Sequence, residues 1–161
     1  ARMIEGGEDL NFICRRLIIL ASEDIGLADP NALSLAVAAQ QATNFIGMPE
    51  SRIILSQITI YLASAPKSNS AYTAINLAQN EVKKSGPIPV PLHLRNPETK
   101  FLREEGYGLN YQYPHNFESG FVKENYLPEE IQSKTFYSPT QIGFESKIME
   151  RMKKLWGQIN Q

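Results

Sequence analysis

Asp29-Pro30-Asn31-Ala32-Leu33-Ser34-Leu35-Ala36-Val37-Ala38-Ala39-Gln40-Gln41-Ala42-Thr43-Asn44-Phe45-Ile46-Gly47 decides the fold class of this 161-residue chain. Asp followed by Pro is a helix start: the carboxylate takes free first-turn amides, and the fixed φ of proline suits the first helical position. Gly47 is a stop. Between them Leu33, Leu35, Ala36, Val37, Ala38, Ala39, Ala42, Phe45 and Ile46 leave almost no polar side. A helix of that kind is expected to be buried on several sides, in a bundle or at a subunit contact.

The flanking segments repeat the pattern. Upstream, Asp9 is a cap for a helix from about Glu8 to Ile25, with Leu10, Ile13, Leu17 and Leu20 at helical spacing and Gly26 as its stop. Before it, Ala1 to Glu5 reads as the tail of a helix closed by Gly6 and Gly7, as if cut from a longer protein. Downstream, Glu50 to Ala65 carries Ile54, Ile58, Tyr61 and Leu62 on one stripe and ends at Pro66. A fourth helix runs from Ser68 or Asn69 to Ser85, with Ala71, Ala74, Ile75, Ala78 and Val82 expected to pack face to face against a neighbour.

After Gly86 the character changes. Pro87, Pro89 and Pro91 impose an extended path. A short helix is expected from Asn96-Pro97 to Glu105, then an aromatic, loop-like tract with helical turns near Glu118 to Asn125 and Pro128 to Gln132. A final helix begins after Thr140 and runs to about Gln158, its apolar side including Met149, Met152, Trp156 and Ile159. No strand pattern persists, because the one alternating segment, Ile88 to Leu94, alternates through its prolines. The fold class is all-α, with residues 1–86 as a helical bundle and 87–161 as a region packed on it.

Composition narrows the function. Hydrophobic residues make up 42% and the net charge is -1, so there is a real core and no bulk attraction to nucleic acid or anionic membrane. No apolar run is long enough to span a bilayer. Cys14, the single cysteine, lies in an apolar helical pattern and reads as a small buried hydrophobe of a reducing cytosol, which rules out internal disulfides. The chain contains no phosphate-cradling Gly-x-x-x-x-Gly-Lys-Ser/Thr loop and no metal-ligand spacing around His93 or His115. We therefore assign no catalytic, cofactor-binding or metal-binding residue.

Two groups remain as candidate contacts. Lys67, Ser68 and Asn69 stand at a helix start, where they either meet a phosphate or simply cap the helix. His93, Arg95, Asn96, Lys100 and Arg103 lie near the rigid proline turn, where cations meet phosphates or a partner's carboxylates, or bond loop carbonyls. Glu23-Asp24, adjacent on a helix, do not face one another as an acid/base pair.

The motifs Ala-Ser-Glu-Asp-Ile-Gly-Leu-Ala-Asp-Pro (21–30), Ala-Pro-Lys-Ser-Asn (65–69), Pro-Val-Pro-Leu-His-Leu-Arg-Asn (89–96), Gly-Tyr-Gly (106–108), Tyr-Pro-His (113–115), Tyr-Leu-Pro-Glu-Glu (126–130) and Gly-Phe-Glu (143–145) resemble the C-terminal half of the RarA/MgsA family. These are replication-associated recombination AAA+ ATPases, relatives of the Werner-helicase-interacting protein. The resemblance implies a bundle similar to the collar of clamp-loader subunits, an oligomerisation module, and a homotetramer. It implies a cytoplasmic, nucleoid-associated bacterial parent that acts at stalled forks and meets DNA, single-strand-binding protein and other replisome components. ATP and Mg would belong to an N-terminal ATPase module, since no Walker motif or arginine finger occurs here. The expected role is a non-catalytic oligomerisation and scaffold domain. The alternative is a DNA-binding module using a local basic patch.

Overall fold

The computed structural model describes residues 1–157. Among them are seven α-helices and no strand: α1 Arg2–Glu5, α2 Leu10–Leu20, α3 Asn31–Ile46, α4 Ser51–Ser64, α5 Ser70–Ser85, α6 Lys100–Glu104 and α7 Glu145–Trp156. The all-α expectation holds. The described residues form two compact units, one made of Ala1–Asn76 with Tyr137–Arg151, the other of Leu77–Phe136 with residues 152–157.

In the first unit the local signals act where the sequence places them. Asp9 accepts the amides of Asn11 at 3.3 Å and Phe12 at 3.1 Å, which fixes the start of α2. Asp29 accepts the Asn31 amide at 3.1 Å through one oxygen. Through the other it takes the Tyr61 hydroxyl at 2.5 Å, tying the start of α3 to α4. That hydrogen bond, followed by burial, raises the Tyr61 phenol above its ordinary pKa. α3 packs against both α2 and α4. The core is formed by Ala21, Ile25, Ala32, Ala36, Ile58 and Leu62, with Leu17, Ile18, Leu20 and Tyr61 around them. Cys14 is buried, and burial pushes its thiol pKa up.

The helix expected from Glu8 to Ile25 does not stay α-helical. Residues Ala21–Ile25 widen into a π-helical turn, followed by a 3-10 turn over Gly26–Ala28. Gly26 takes φ +52, a conformation that favours glycine. A Cβ there would stand 2.8 Å from the Ser68 carbonyl oxygen.

Two packing expectations need correction. α3 buries only Ala32, Ala36 and Thr43, so it contacts its neighbours through a narrow stripe of small residues. In α5 only Ser70 is buried, while Ile75 and Val82 lie exposed. Ala71, Ala74 and Ala78 are half-buried, and among the described residues no helix packs extensively along the apolar stripe of α5, because amphipathic periodicity identifies a face without identifying its cover.

The second unit is irregular, as expected. Residues 87–91 have no regular secondary structure and lead into a 3-10 turn at Leu92–Leu94. The short helix starts later than expected, at Lys100, because Thr99 is the working cap: its Oγ1 accepts the Leu102 amide at 3.2 Å. The turn expected at Pro128 to Gln132 is a 3-10 turn over Glu129–Ile131. Of the turn expected at 118–125 a single hydrogen-bonded turn forms, the Gly120 amide donating to the Phe117 carbonyl at 2.9 Å, and residues 121–126 have no regular secondary structure. A 3-10 turn at Pro114–Asn116 was not expected. The final helix starts at Glu145, and its expected end at Gln158 and Ile159 lies outside the described residues.

Candidate functional site

Lys67 is spent on α4. Its ammonium donates to the carbonyls of Leu62 at 2.7 Å, Ala65 at 2.5 Å and Ala63 at 3.5 Å, satisfying the helix end that Pro66 interrupts. Ser68 is buried. Its amide donates to the Asp24 carbonyl at 2.8 Å, and its hydroxyl accepts the Ser70 amide at 3.3 Å. Asn69 is exposed just before α5, and its carbonyl accepts the Thr73 amide at 2.9 Å.

The Ser68 hydroxyl donates to Glu145 Oε2 at 2.8 Å. Glu145, at the first turn of α7, is 0% exposed. Its carboxylate also accepts the hydroxyl of Ser70, that of Tyr137 at 3.1 Å, and both the amide at 2.9 Å and hydroxyl at 2.6 Å of Thr140. Burial alone would raise its pKa; the bonds from Ser70, Thr140 and Ser68 outweigh that and hold it below the ordinary carboxylate value. In turn, burial and then the Glu145 charge push the Tyr137 phenol up to about 12. Every donor is neutral, and no Lys or Arg of the described residues forms an ion pair with this carboxylate.

Two further backbone joints lie beside it. The Phe144 amide donates to the Ala28 carbonyl at 2.8 Å. Gly143, at φ +57, passes so close that a Cβ would overlap the Ala28 oxygen and stand 2.9 Å from Pro66 Cγ. The widened turn after α2, the Pro66-to-Ser70 corner and the entry to α7 are therefore one hydrogen-bonded junction.

In the second unit, Arg95 Nε donates to the Val90 carbonyl at 2.6 Å. Its Nη1 donates to the Tyr107 hydroxyl at 3.2 Å, and the guanidinium lies 5.1 Å from that ring's centroid. The arginine thus staples the proline connector to the 106–108 turn. The Leu92 carbonyl accepts the Gly108 amide at 2.9 Å across the same gap. His93 Nε2 lies 3.4 Å from Glu124 Oε1, so its carboxylate neighbour is Glu124. Arg103 Nε reaches the Pro97 carbonyl at 3.4 Å. Lys100 is 93% exposed and pairs loosely with Glu104 at 3.8 Å. His93 and Arg95 also line a cleft of ≈ 630 Å³ with Pro89, Leu109, Leu127 and Glu129.

Two surfaces of the first unit are open and apolar. A trough of ≈ 1180 Å³ runs along α1, α2 and α4, lined by Met3, Ile13, Leu17, Leu20, Ile53 and Ile60. Ile53 is 62% and Ile60 66% exposed. Around α3, Leu33, Leu35, Val37, Phe45 and Ile46 are all exposed, with Phe45 at 92%. Among the described residues no cluster of three or more His, Cys, Asp or Glu is placed to hold a metal ion. No helix is long and apolar enough to cross a membrane.

Residues 1–156 match the family described as MgsA AAA+ ATPase C terminal. The chain belongs to that family. It is 50% identical over 96% of its length to an uncharacterised protein of Thermotoga maritima, 25% of which it spans. It is 43% identical over 96% of its length to the replication-associated recombination protein A of Bacillus subtilis, spanning 37% of that protein. With the ATPase WRNIP1 of Dictyostelium discoideum it shares 48% identity over 84% of its length and 16% of the relative's. The chain thus spans between 16% and 37% of the length of these relatives.

Five of the seven motifs that carry the MgsA resemblance fall into two physical groups. Those at 21–30, 65–69 and 143–145 build the junction around Glu145. Those at 89–96 and 106–108 build the Arg95 staple. Glu145 was not among the expected site residues. Its signals were Thr140 five positions ahead of it and Ser68 and Ser70 around a helix start, but nothing in the linear order links them.

Proposed function

We propose that this chain is a non-catalytic assembly domain of a AAA+ ATPase that acts in replication-linked recombination. One observation carries the proposal. In the first unit the polar side chains that converge are consumed in holding the fold, whereas large apolar side chains on α3 and in the trough stand exposed. Such surfaces are partner sites rather than reaction sites. ATP and Mg belong to an ATPase module elsewhere in the parent, as do contacts with DNA, single-strand-binding protein and the replisome. The parent works in the cytoplasm at the nucleoid. Sedimentation equilibrium tests the assembly role: a tetramer at micromolar concentration is expected, and a clean monomer overturns it.

A DNA-binding role for this chain itself would draw, among the candidate cations near the connector, on Lys100 and Arg103, with the basic side of α7 as a further source. Lys67 and Arg95 already donate to backbone carbonyls.

A further inference from the structure

We propose that the cleft lined by the proline connector and the 124–132 segment, in the second unit, binds an arginine side chain of a partner polypeptide, with Glu124 receiving its guanidinium. The cleft measures ≈ 630 Å³, within the size range of pockets that hold a ligand. Its walls are preformed. Arg95 ties the connector to Tyr107 and to the Val90 carbonyl, and the Gly108 amide closes on the Leu92 carbonyl. On the 124–132 segment the Asn125 side-chain amide donates to the Gln132 Oε1 at 3.3 Å and to the Gln132 carbonyl at 3.4 Å.

A carboxylate oxygen in this cleft lacks a donor. Glu124 Oε2 and His93 Nε2 are buried and make no hydrogen bond among the described residues. Glu124 Oε1 approaches the His93 nitrogen to 3.4 Å without closing one. Buried polar atoms of native folds almost always have a partner, and a carboxylate oxygen is among the least tolerated without one. The Glu124 side chain is still 20% exposed and lines the cleft. Rotation about its last bond, a soft torsion, turns Oε2 toward an incoming donor.

The lining sets the charge of the ligand. Glu124, Glu129 and Glu130 stand against a single Lys or Arg among the described lining residues, Arg95, which already donates to Val90 and Tyr107. A phosphate or a carboxylate is repelled there, and a cation is attracted. No third His, Cys, Asp or Glu of the described residues joins His93 and Glu124 in a metal site, so the cation is organic. It has an aliphatic stem, because Val90, Leu92 and Leu109 present exposed apolar surface along the cleft. A guanidinium answers a carboxylate with two parallel N–H donors, which an ammonium does not. The cleft is larger than one such side chain fills, so the flanking peptide backbone enters with it.

The test is an NMR titration of the 161-residue chain with acetyl-Gly-Arg-Gly-amide, read at the amides of Leu92, Leu109, Asn125 and Gln132. The tripeptide with neutral citrulline in place of Arg is the control for charge, and butylguanidine carries the cation without a backbone. Saturable shifts at these amides are expected with the Arg peptide. Glu124→Gln is expected to weaken binding at least about 10-fold, because it removes the charged acceptor. Glu129→Gln with Glu130→Gln changes two exposed rim residues and is expected to weaken binding about 3-fold at an unchanged melting temperature. That rim variant keeps the test decisive if Glu124→Gln unfolds the second unit. No saturable shift at these amides, or citrulline peptide binding as tightly as the Arg peptide, overturns the site. Unchanged affinity in either folded variant overturns the role of the carboxylates. Butylguanidine binding as tightly as the Arg peptide overturns a polypeptide as the source of the cation.

Discussion

Ser68 and Glu145 lie 77 residues apart in the chain and are joined by a buried 2.8 Å hydrogen bond. The bond closes the first unit, because Glu145 stands at the start of α7 and Ser68 just ahead of α5. Replacing Glu145 by Ala leaves the hydroxyls of Ser68, Ser70, Tyr137 and Thr140 facing a void in place of their acceptor. The expected loss is about 3 kcal/mol or more. Urea unfolding should show it as a lower midpoint at an unchanged slope. Glu145→Gln keeps the volume but turns a donor toward donors, so it should also destabilise. A Gln variant as stable as wild type would mean that the carboxylate is not the keystone.

The same cluster makes stability depend on pH at both extremes. The folded pKa of Glu145 lies below its ordinary value, so the unfolded state binds the proton more readily. Its stabilisation is complete above the ordinary carboxylate range and is lost as pH falls through the depressed folded value. The Tyr137 phenol is raised to about 12, so its neutral form is favoured by the fold. That contribution is present below the ordinary phenol pKa of about 10 and disappears as pH rises toward the folded value. Denaturation midpoints measured across pH should fall at both ends. Glu145→Gln should reduce the loss at acid pH, and Tyr137→Phe the loss at alkaline pH, to which the raised Tyr61 phenol also contributes.

Gly143 separates backbone strain from collision. Gly143 and Gly120 share nearly the same conformation, at φ +57 and +60. A Cβ at Gly120 meets nothing within 4 Å, whereas at Gly143 it collides with the Ala28 carbonyl and Pro66. Gly120→Ala should cost about 1 kcal/mol, the price of a left-handed residue. Gly143→Ala should cost about 3 kcal/mol or more, because the backbone must move as well. Equal effects in thermal melts would show that the close approach carries no energy.

The helices were legible in the sequence because their signals are local. Asp9 and Asp29 act on amides two or three residues away. Thr99 acts over the same range, but in the sequence the Asn96-Pro97 start signal stands ahead of it. The π-helical turn at Ala21–Ile25 was not legible, since it accompanies a distant bond from the Ser68 amide to the Asp24 carbonyl. Glu145 was hidden for the same reason: its donors come from three separate segments, around Ser68, Tyr137 and Thr140. The basic candidates were visible as residue types, but not as spent donors. Whether Lys67 faces solvent or the end of α4 depends on the path of the chain around Pro66, which charge spacing does not encode.

That spending of cations sets a limit on direct DNA contact by this chain. Lys67 donates to carbonyls of α4 and Arg95 to Val90 and Tyr107, so neither is free for a phosphate without breaking those bonds. Lys100 and Arg103 remain among the candidates on the proline-connector side. Two phosphate contacts give a logarithmic salt slope of about -2 on duplex DNA. Fluorescence anisotropy with a short duplex across a salt series should therefore find weak binding and a slope no steeper than that. Lys100→Ala with Arg103→Ala should abolish what binding there is, while Arg95→Ala should loosen the proline connector in hydrogen exchange without changing the slope. A slope of about -4 or steeper would mean a basic surface built from other residues, with α7 and its Lys147, Arg151, Lys153 and Lys154 the first place to look.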